Sequence, residues 1–289
     1  MGNTCYLNAL LHVLARVECI RIWLSEHRGV HHDGKREPTC MVCKLIDDVH
    51  DLTSTASVVP LKPRIVLSRA CWNPSFGNAG QQDASEAWTS LLNTLDMVDI
   101  KRLEALAVRV KSRSTPYYYC CGGRQTVSLH CRSCNSVSHL VEPLAALELQ
   151  LQKPYELNSL DEAMLHHLGE EHIEGTHEAC MAINCLWKTT TLSSPPLVLS
   201  ITLKRWDDDF EKIHRHISFP AVWPLTHQHT YILRGVVEHR GHAGDGHYIS
   251  YVRCLSNDWY FCNDFVTPQR CSLEDALNAQ AYMLIYERA

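Results

Sequence analysis

Helical and strand-like patterns in this chain are segregated rather than alternated, and that limits the architectures it can reach. Leu7, Leu10, Leu11, Leu14 and Val17 lie on one face of a helix. Cys40–His50 reads as a second helix, and Trp88, Leu91, Leu92 and Leu95 form the apolar stripe of a third. From Pro195 onward the texture becomes β. Leu197–Trp206, Tyr231–His239, Tyr248–Cys254, Trp259–Phe265 and Tyr282–Tyr286 are runs rich in β-branched and aromatic residues. A doubly wound parallel sheet needs repeated strand–helix units, which are missing here. The order of helices, then a β segment, then a mainly antiparallel sheet specifies an α+β fold.

The 289 residues suffice for a sizeable core, as one large domain or two modest ones. A net charge of -5 gives no electrostatic footprint for nucleic acid. No apolar run approaches the roughly 18 residues of a membrane span. Leu7–Val17 is too interrupted, by His12 and Arg16, for a signal sequence, and Tyr6 breaks the acylation pattern that Met1-Gly2 would start. Fourteen cysteines without a leader read as metal ligands and a reactive thiol rather than disulfides. The expected compartment is therefore the cytoplasm, the nucleus or both.

Between the periodic segments, the polar stretch Glu26–Pro38 reads as loop. Pro60, Pro63, Pro74 and the Gly77–Gly80 run punctuate the chain between the second and third helices. Asp83 with Glu86 resembles a capping box ahead of the Trp88 helix. Tyr117–His139 reads as strands, with Cys121-Gly122-Gly123-Arg124 the expected hairpin.

Three residues carry the chemical expectation. Cys5 stands at a helix head, where the macrodipole favours a thiolate. His247 opens a strand after a glycine-rich stretch, and Asn263 returns on the next strand, at a distance suited to a hairpin. The Asn263 side-chain oxygen is expected to accept the His247 Nδ1 proton and fix the tautomer. Any single cysteine or histidine is ordinarily structural, so the argument rests on the three together. Cys131-Arg132-Ser133-Cys134 is a metal-type pair, and Cys40-Met41-Val42-Cys43 is a second pair with His27, His31, His32 and His50 nearby in sequence.

These segments carry a resemblance that spans the chain. Gly2-Asn3-Thr4-Cys5-Tyr6-Leu7-Asn8, Gln81-Gln82-Asp83-Ala84-Ser85-Glu86, Leu203-Lys204-Arg205-Trp206, Gly246-His247-Tyr248, Asn263-Asp264-Phe265-Val266 and Ala281-Tyr282-Met283-Leu284-Ile285-Tyr286 occur in the order found in the catalytic domain of ubiquitin-specific proteases. The chain resembles that family, whose members are papain-like cysteine proteases that cleave ubiquitin conjugates. The departures are Ser85 where the family has His, Cys262 where it has Phe, and Trp88 where it prefers an aliphatic residue or Phe.

The resemblance implies a papain-like fold with a helical thumb over residues 1–115, zinc-bearing β fingers over 116–195 and a palm sheet over 196–289. It implies Cys5 as nucleophile, His247 as base and Asn263 as third member, with Asp264 in support. Gln82, Asp83, Gly246 and Tyr248 would bind the ubiquitin tail. Cys131 and Cys134 would bind a structural zinc ion with His177 and Cys180, with Cys185 as a competing ligand. Ubiquitin and ubiquitinated proteins would be the partners.

The family also takes an oxyanion donor from an Asn five residues before the nucleophile, a position that here precedes Met1. The expectation is a natural start further upstream. The alternative is a scaffold that binds ubiquitin without cutting it. Gln81 or Gln82 would be the substitute donor.

Overall fold

The computed structural model describes residues 3–31, 40–53, 76, 80, 82–105, 117–151, 156–207, 211–242, 245–264 and 266–289. As far as Ala105 its described elements are helices. Helix α1 (Cys5–Leu14) is buried at every position, so it forms the centre of the helical layer rather than a surface helix. It ends three residues before the expected Val17. A tight turn, with Arg16 N–H bonded to Val13 O and Val17 N–H to Leu14 O, carries the apolar pattern into α2 (Glu18–His31).

Helix α2 overturns the loop expected from Glu26 at least as far as His31. Its buried face is Ile20, Trp23, Leu24 and His27. A histidine at the fourth position of that stripe hid the periodicity. Helix α3 (Met41–Thr53) lies where the sequence pattern puts it, and α4 (Ala84–Ala105) carries buried Trp88, Leu91, Leu92 and Leu95. The punctuating Pro60, Pro63 and Pro74 lie outside the described residues.

A single π-helical turn, Tyr117–Cys121, leads into a four-stranded sheet of β1 (Gly123–Cys131), β2 (Val137–Leu144), β4 (Glu171–Ile173) and β5 (Leu186–Ser194), in the order β2-β1-β5-β4. The hairpin expected at Cys121–Arg124 is not there. Gly123 instead starts β1, where a Cβ would lie 2.8 Å from Pro196 Cδ and 3.0 Å from Ser194 O. The glycine serves close packing, and the chain reverses at Arg132–Ser136, with Asn135 at positive φ.

The remaining strands are β3 (Leu147–Gln150), β6 (Val198–Lys204), β7 (Val222–Pro224), β8 (Thr230–His242), β9 (Asp245–Arg253), β10 (Trp259–Cys262), β11 (Gln269–Cys271) and β12 (Ala281–Arg288). They form a larger sheet in the order β11-β10-β9-β8-β12-β6-β3, with β7 on β8. Every pairing in it is antiparallel except β3 with β6. All five strand runs read from sequence are present.

Alternate residues of these strands feed two cores. Val237, Val252, Met283 and Ile285 pack with the helical layer. Val236, Ile249, Leu284 and Tyr286 pack on the other face with α5 (Leu160–Leu168) and α6 (Leu273–Leu277). Period-two burial of this kind fixes strand register, because a one-residue slip would exchange the two cores.

The helical layer is fastened to the sheet by a buried carboxylate. Glu287 of β12 accepts the backbone N–H of Cys19 (2.7 Å) and Glu18 (3.2 Å), the orphan donors at the head of α2. Arg234 of β8 donates to the same carboxylate at 2.6 Å. The charge is therefore both paired and hydrogen-bonded, the condition for burying it at all.

Candidate active site and metal cluster

The helical layer and the larger sheet meet where α1 packs on β8 and β9. Cys5 opens α1 and is 7% exposed. Burial pushes its thiol above the ordinary value; the Tyr248 backbone N–H directed at the sulfur pulls the other way, and the Asp264 carboxylate adds to the rise. The helix-head advantage expected from sequence is therefore outweighed by desolvation, and the sulfur needs a proton acceptor to become a nucleophile.

His247 lies on β9, beside the Tyr248 amide that reaches Cys5. Its Nε2 is 2.6 Å from Asn263 Oδ1. Since an amide oxygen only accepts, Nε2 carries the proton and Nδ1 is left as the basic nitrogen. This corrects the expected tautomer, in which Asn263 was to hold Nδ1. The antiparallel pairing of β9 with β10 brings the two residues together, and the turn between them is closed by Asn257 at positive φ.

Asp264 also takes a positive φ, which swings its carboxylate back toward α1. Asn8 Nδ2 donates to Asp264 Oδ1 at 2.9 Å, and His12 Nε2 lies 3.4 Å from the Asp264 backbone oxygen. The other Asp264 oxygen stands 3.9 Å from His247 Nε2. Asn8 and His12 were not singled out from sequence. The signal was available, because they come three and seven residues after Cys5 on one helix face.

Asp83 is the next node. Its Oδ1 accepts the N–H of Ser85 (2.8 Å) and Glu86 (3.0 Å) and the Ser85 hydroxyl (2.7 Å), so it caps α4. Its Oδ2 receives the hydroxyls of Tyr248 (3.5 Å) and Tyr282. Burial, followed by the Asp83 charge, raises both phenols above their ordinary value, so they stay protonated donors. Asp83 thereby links α4, β9 and β12. Gln82 immediately precedes this cap and is half-buried, whereas Gln81 lies outside the described residues.

Gly246 pairs with Gly241 at the end of the β8–β9 hairpin, while residues 243–244 lie outside the described residues. A Cβ on Gly246 would sit 2.3 Å from His239 Nε2 and 2.5 Å from Arg240 O. His239 is held by Lys212, which donates to its backbone oxygen at 2.6 Å, and by edge contact with Tyr248. Burial, aided by the Lys212 charge, lowers the His239 pKa to about 4, so the ring is neutral.

At the far end of the smaller sheet, Cys131, Cys134, His177 and Cys180 gather with all four ligand atoms within 4.8 Å of one another. Cys131 and Cys180 sulfurs are 3.7 Å apart, and Cys134 Sγ is 3.6 Å from His177 Nδ1. Tetrahedral zinc would set such edges at about 3.6–3.8 Å, which these two match, while His177 Nδ1 stands closer to Cys180 Sγ, at 3.1 Å; the donor set suits that ion. Burial pushes the Cys131 thiol up, but the Cys134 N–H, the Cys185 thiol and the Ser133 N–H outweigh it and bring it down to about 6. Cys185 lies 3.3 Å from Cys131 yet falls outside the four-membered group.

A thiol at a helix head, an imidazole on a neighbouring strand and an amide orienting that imidazole define the arrangement of a papain-like cysteine hydrolase. The family model of ubiquitin carboxyl-terminal hydrolases matches residues 1–286, and the chain belongs to that family. Ubiquitin carboxyl-terminal hydrolase 19 of Arabidopsis thaliana is 26% identical over 99% of this chain and 45% of its own length. Ubiquitin carboxyl-terminal hydrolase 36 of Drosophila simulans is 28% identical over 99% of this chain and 31% of its own length. The chain thus spans less than half the length of these relatives. The fold matches a solved structure of the SAGA Ubp8/Sgf11/Sus1/Sgf73 DUB module bound to ubiquitin aldehyde. That match has a TM-score of 0.82 and 22% identity over 100% of this chain and 68% of the other.

Proposed function

We propose that this chain is the catalytic domain of a deubiquitinating thiol protease, which hydrolyses the bond after the C-terminal glycine of ubiquitin. The observation that carries the reading is the 2.6 Å contact between His247 Nε2 and Asn263 Oδ1, made in a chain of this family whose Cys5 faces the same strand. His247 Nδ1 takes the Cys5 proton as sulfur attacks the glycine carbonyl, and the backbone N–H of Cys5 donates to the oxyanion. The imidazolium then protonates the leaving amine. Water, activated by the same nitrogen, releases ubiquitin from the thioester. Asn263 holds the ring by its Nε2 proton throughout, and Asp264, held by Asn8 of α1, braces it.

Residues 1–115, 116–195 and 196–289 act as thumb, fingers and palm in this reading. β3 and α5 fall within the second range but pack on the larger sheet. Gln82, Asp83, Gly246 and Tyr248 line the approach of the ubiquitin tail, with Gln82 as a further oxyanion donor. Cys131, Cys134, His177 and Cys180 hold a structural zinc ion, because four protein ligands leave no position for substrate. Ubiquitin and ubiquitinated proteins are the partners. The free thiols of the described cysteines suit a reducing compartment, the cytoplasm or nucleus. Among the described residues no helix is long and apolar enough to cross a membrane.

A ubiquitin probe with an electrophilic C-terminus tests the assignment. The expected outcome is a covalent adduct on Cys5 that Cys5→Ala abolishes and His247→Ala slows. Tight binding without any adduct would replace the enzyme with a ubiquitin-binding scaffold.

A further inference from the structure

A second group of metal-type donors lies in the helical layer, remote in sequence from the smaller sheet. His27 on α2, Cys40 at the head of α3 and Cys43 in its first turn have their ligand atoms within 4.8 Å of one another. Cys40 Sγ is 3.7 Å from His27 Nε2, against about 3.6 Å for sulfur and nitrogen sharing a tetrahedral zinc. All three are buried, at 2%, 8% and 1% exposure for His27, Cys40 and Cys43. The Lys44 N–H bonds back to Cys40 O, so the Cys-x-x-Cys pair is wound into the start of α3, with both sulfurs on one side.

We propose that His27, Cys40 and Cys43 bind a second zinc ion that clamps α2 to α3. Two thiolates and a neutral imidazole around a divalent cation make a net neutral cluster, which can be buried at far lower cost than the separate charges. Three protein donors leave one tetrahedral position for water or a further donor. Because α3 packs against α1, the clamp supports the helix that carries Cys5 without touching the reacting atoms. It also explains why a histidine occupies the buried stripe of α2, where the pattern of Ile20, Trp23 and Leu24 asks for an apolar residue.

The test is metal content of the purified full chain, equilibrated with zinc and dialysed. Two zinc ions per chain are expected. Cys40→Ser with Cys43→Ser should remove one, and Cys131→Ser with Cys134→Ser should remove the other. X-ray absorption on the unmodified protein serves even if a variant fails to fold. It should show between two and three sulfurs per zinc, against three if only the cluster in the smaller sheet is filled. One zinc per chain with three sulfurs would overturn the proposal. So would a Cys40–Cys43 disulfide found by mass after alkylation, or two ions unaffected by the Cys40 and Cys43 substitutions. Failure of the Cys131 cluster would appear separately, as zinc insensitive to Cys131→Ser with Cys134→Ser.

Discussion

Asn8 donates to Asp264 at 2.9 Å across 256 residues of chain, joining the helix that carries Cys5 to the residue next to Asn263. The bond fixes Asp264, and through it the end of the strand whose Asn263 holds His247. A hydrogen bond to a charged group is worth about 1.5–3 kcal/mol, or roughly 10- to 100-fold in rate if it is lost entirely from the transition state. Asn8→Ala is expected to lower kcat by about tenfold with little change in KM, and Asn8→Asp to lower it further by opposing the Asp264 charge. Steady-state hydrolysis of a ubiquitin C-terminal amide reads both. Unchanged kcat in Asn8→Ala would remove the brace from the account.

Gly246→Ala places a methyl group where His239 Nε2 stands. Strain of this kind costs about 1–3 kcal/mol, and β9 must shift just before His247. Activity should fall by roughly 10- to 100-fold. Combining Gly246→Ala with His239→Ala should recover part of the loss, because the double variant removes the ring and leaves only the contact with Arg240 O. If the double variant is as impaired as the two single effects combined, steric conflict with His239 is not the cause.

Asp83 serves a helix cap and two tyrosine hydroxyls at once. Its removal has a stability component that is separable from substrate affinity. Asp83→Ala should destabilise the fold by about 1–3 kcal/mol, from the lost cap and two buried hydroxyls left without their acceptor. Asp83→Asn, which keeps an acceptor, should cost less. Urea denaturation of both variants decides it, and equal midpoints to the parent would show that Asp83 works through substrate alone.

Burial lowers the His12 pKa from 6.5 to about 4, despite the pull of the Asp264 backbone oxygen. The native state keeps His12 neutral, while the unfolded chain binds a proton below pH 6.5. Stability from this group is therefore complete above about pH 6.5 and is lost as pH falls toward 4. The loss is on the order of 3 kcal/mol. The urea midpoint should drop across that window, and by less in His12→Gln. A midpoint that is flat from pH 7 to 4.5 would contradict the neutral buried ring.

The five strand runs beyond Pro195, α3, α4 and the pairing of His247 with Asn263 could be read directly, since each depends on local periodicity or on the length of a hairpin. The α2 helix was obscured because its buried stripe ends in His27, which hydropathy scores as polar. The hairpin was misplaced because Gly123 looks like a turn residue, whereas its role is set by Pro196 and Ser194 from beyond its own strand. The tautomer of His247 was also out of reach: sequence puts the amide near the ring but cannot say which nitrogen faces it. Asn8 shows the same limit in reverse. Its partner lies at the other end of the chain, and only the packing of α1 against β9 reveals it.

The placement of Cys5 and Asn8 on α1, against strands made long after that helix, has a consequence for synthesis. At 5–20 residues per second, a ribosome needs roughly 10–50 s to travel from α1 to β10. During that interval the nascent helix has no imidazole beside its thiol and no Asp264 to engage Asn8. Products that stop before β10 therefore carry Cys5 without this surrounding, and the site assembles only after β10 has been made.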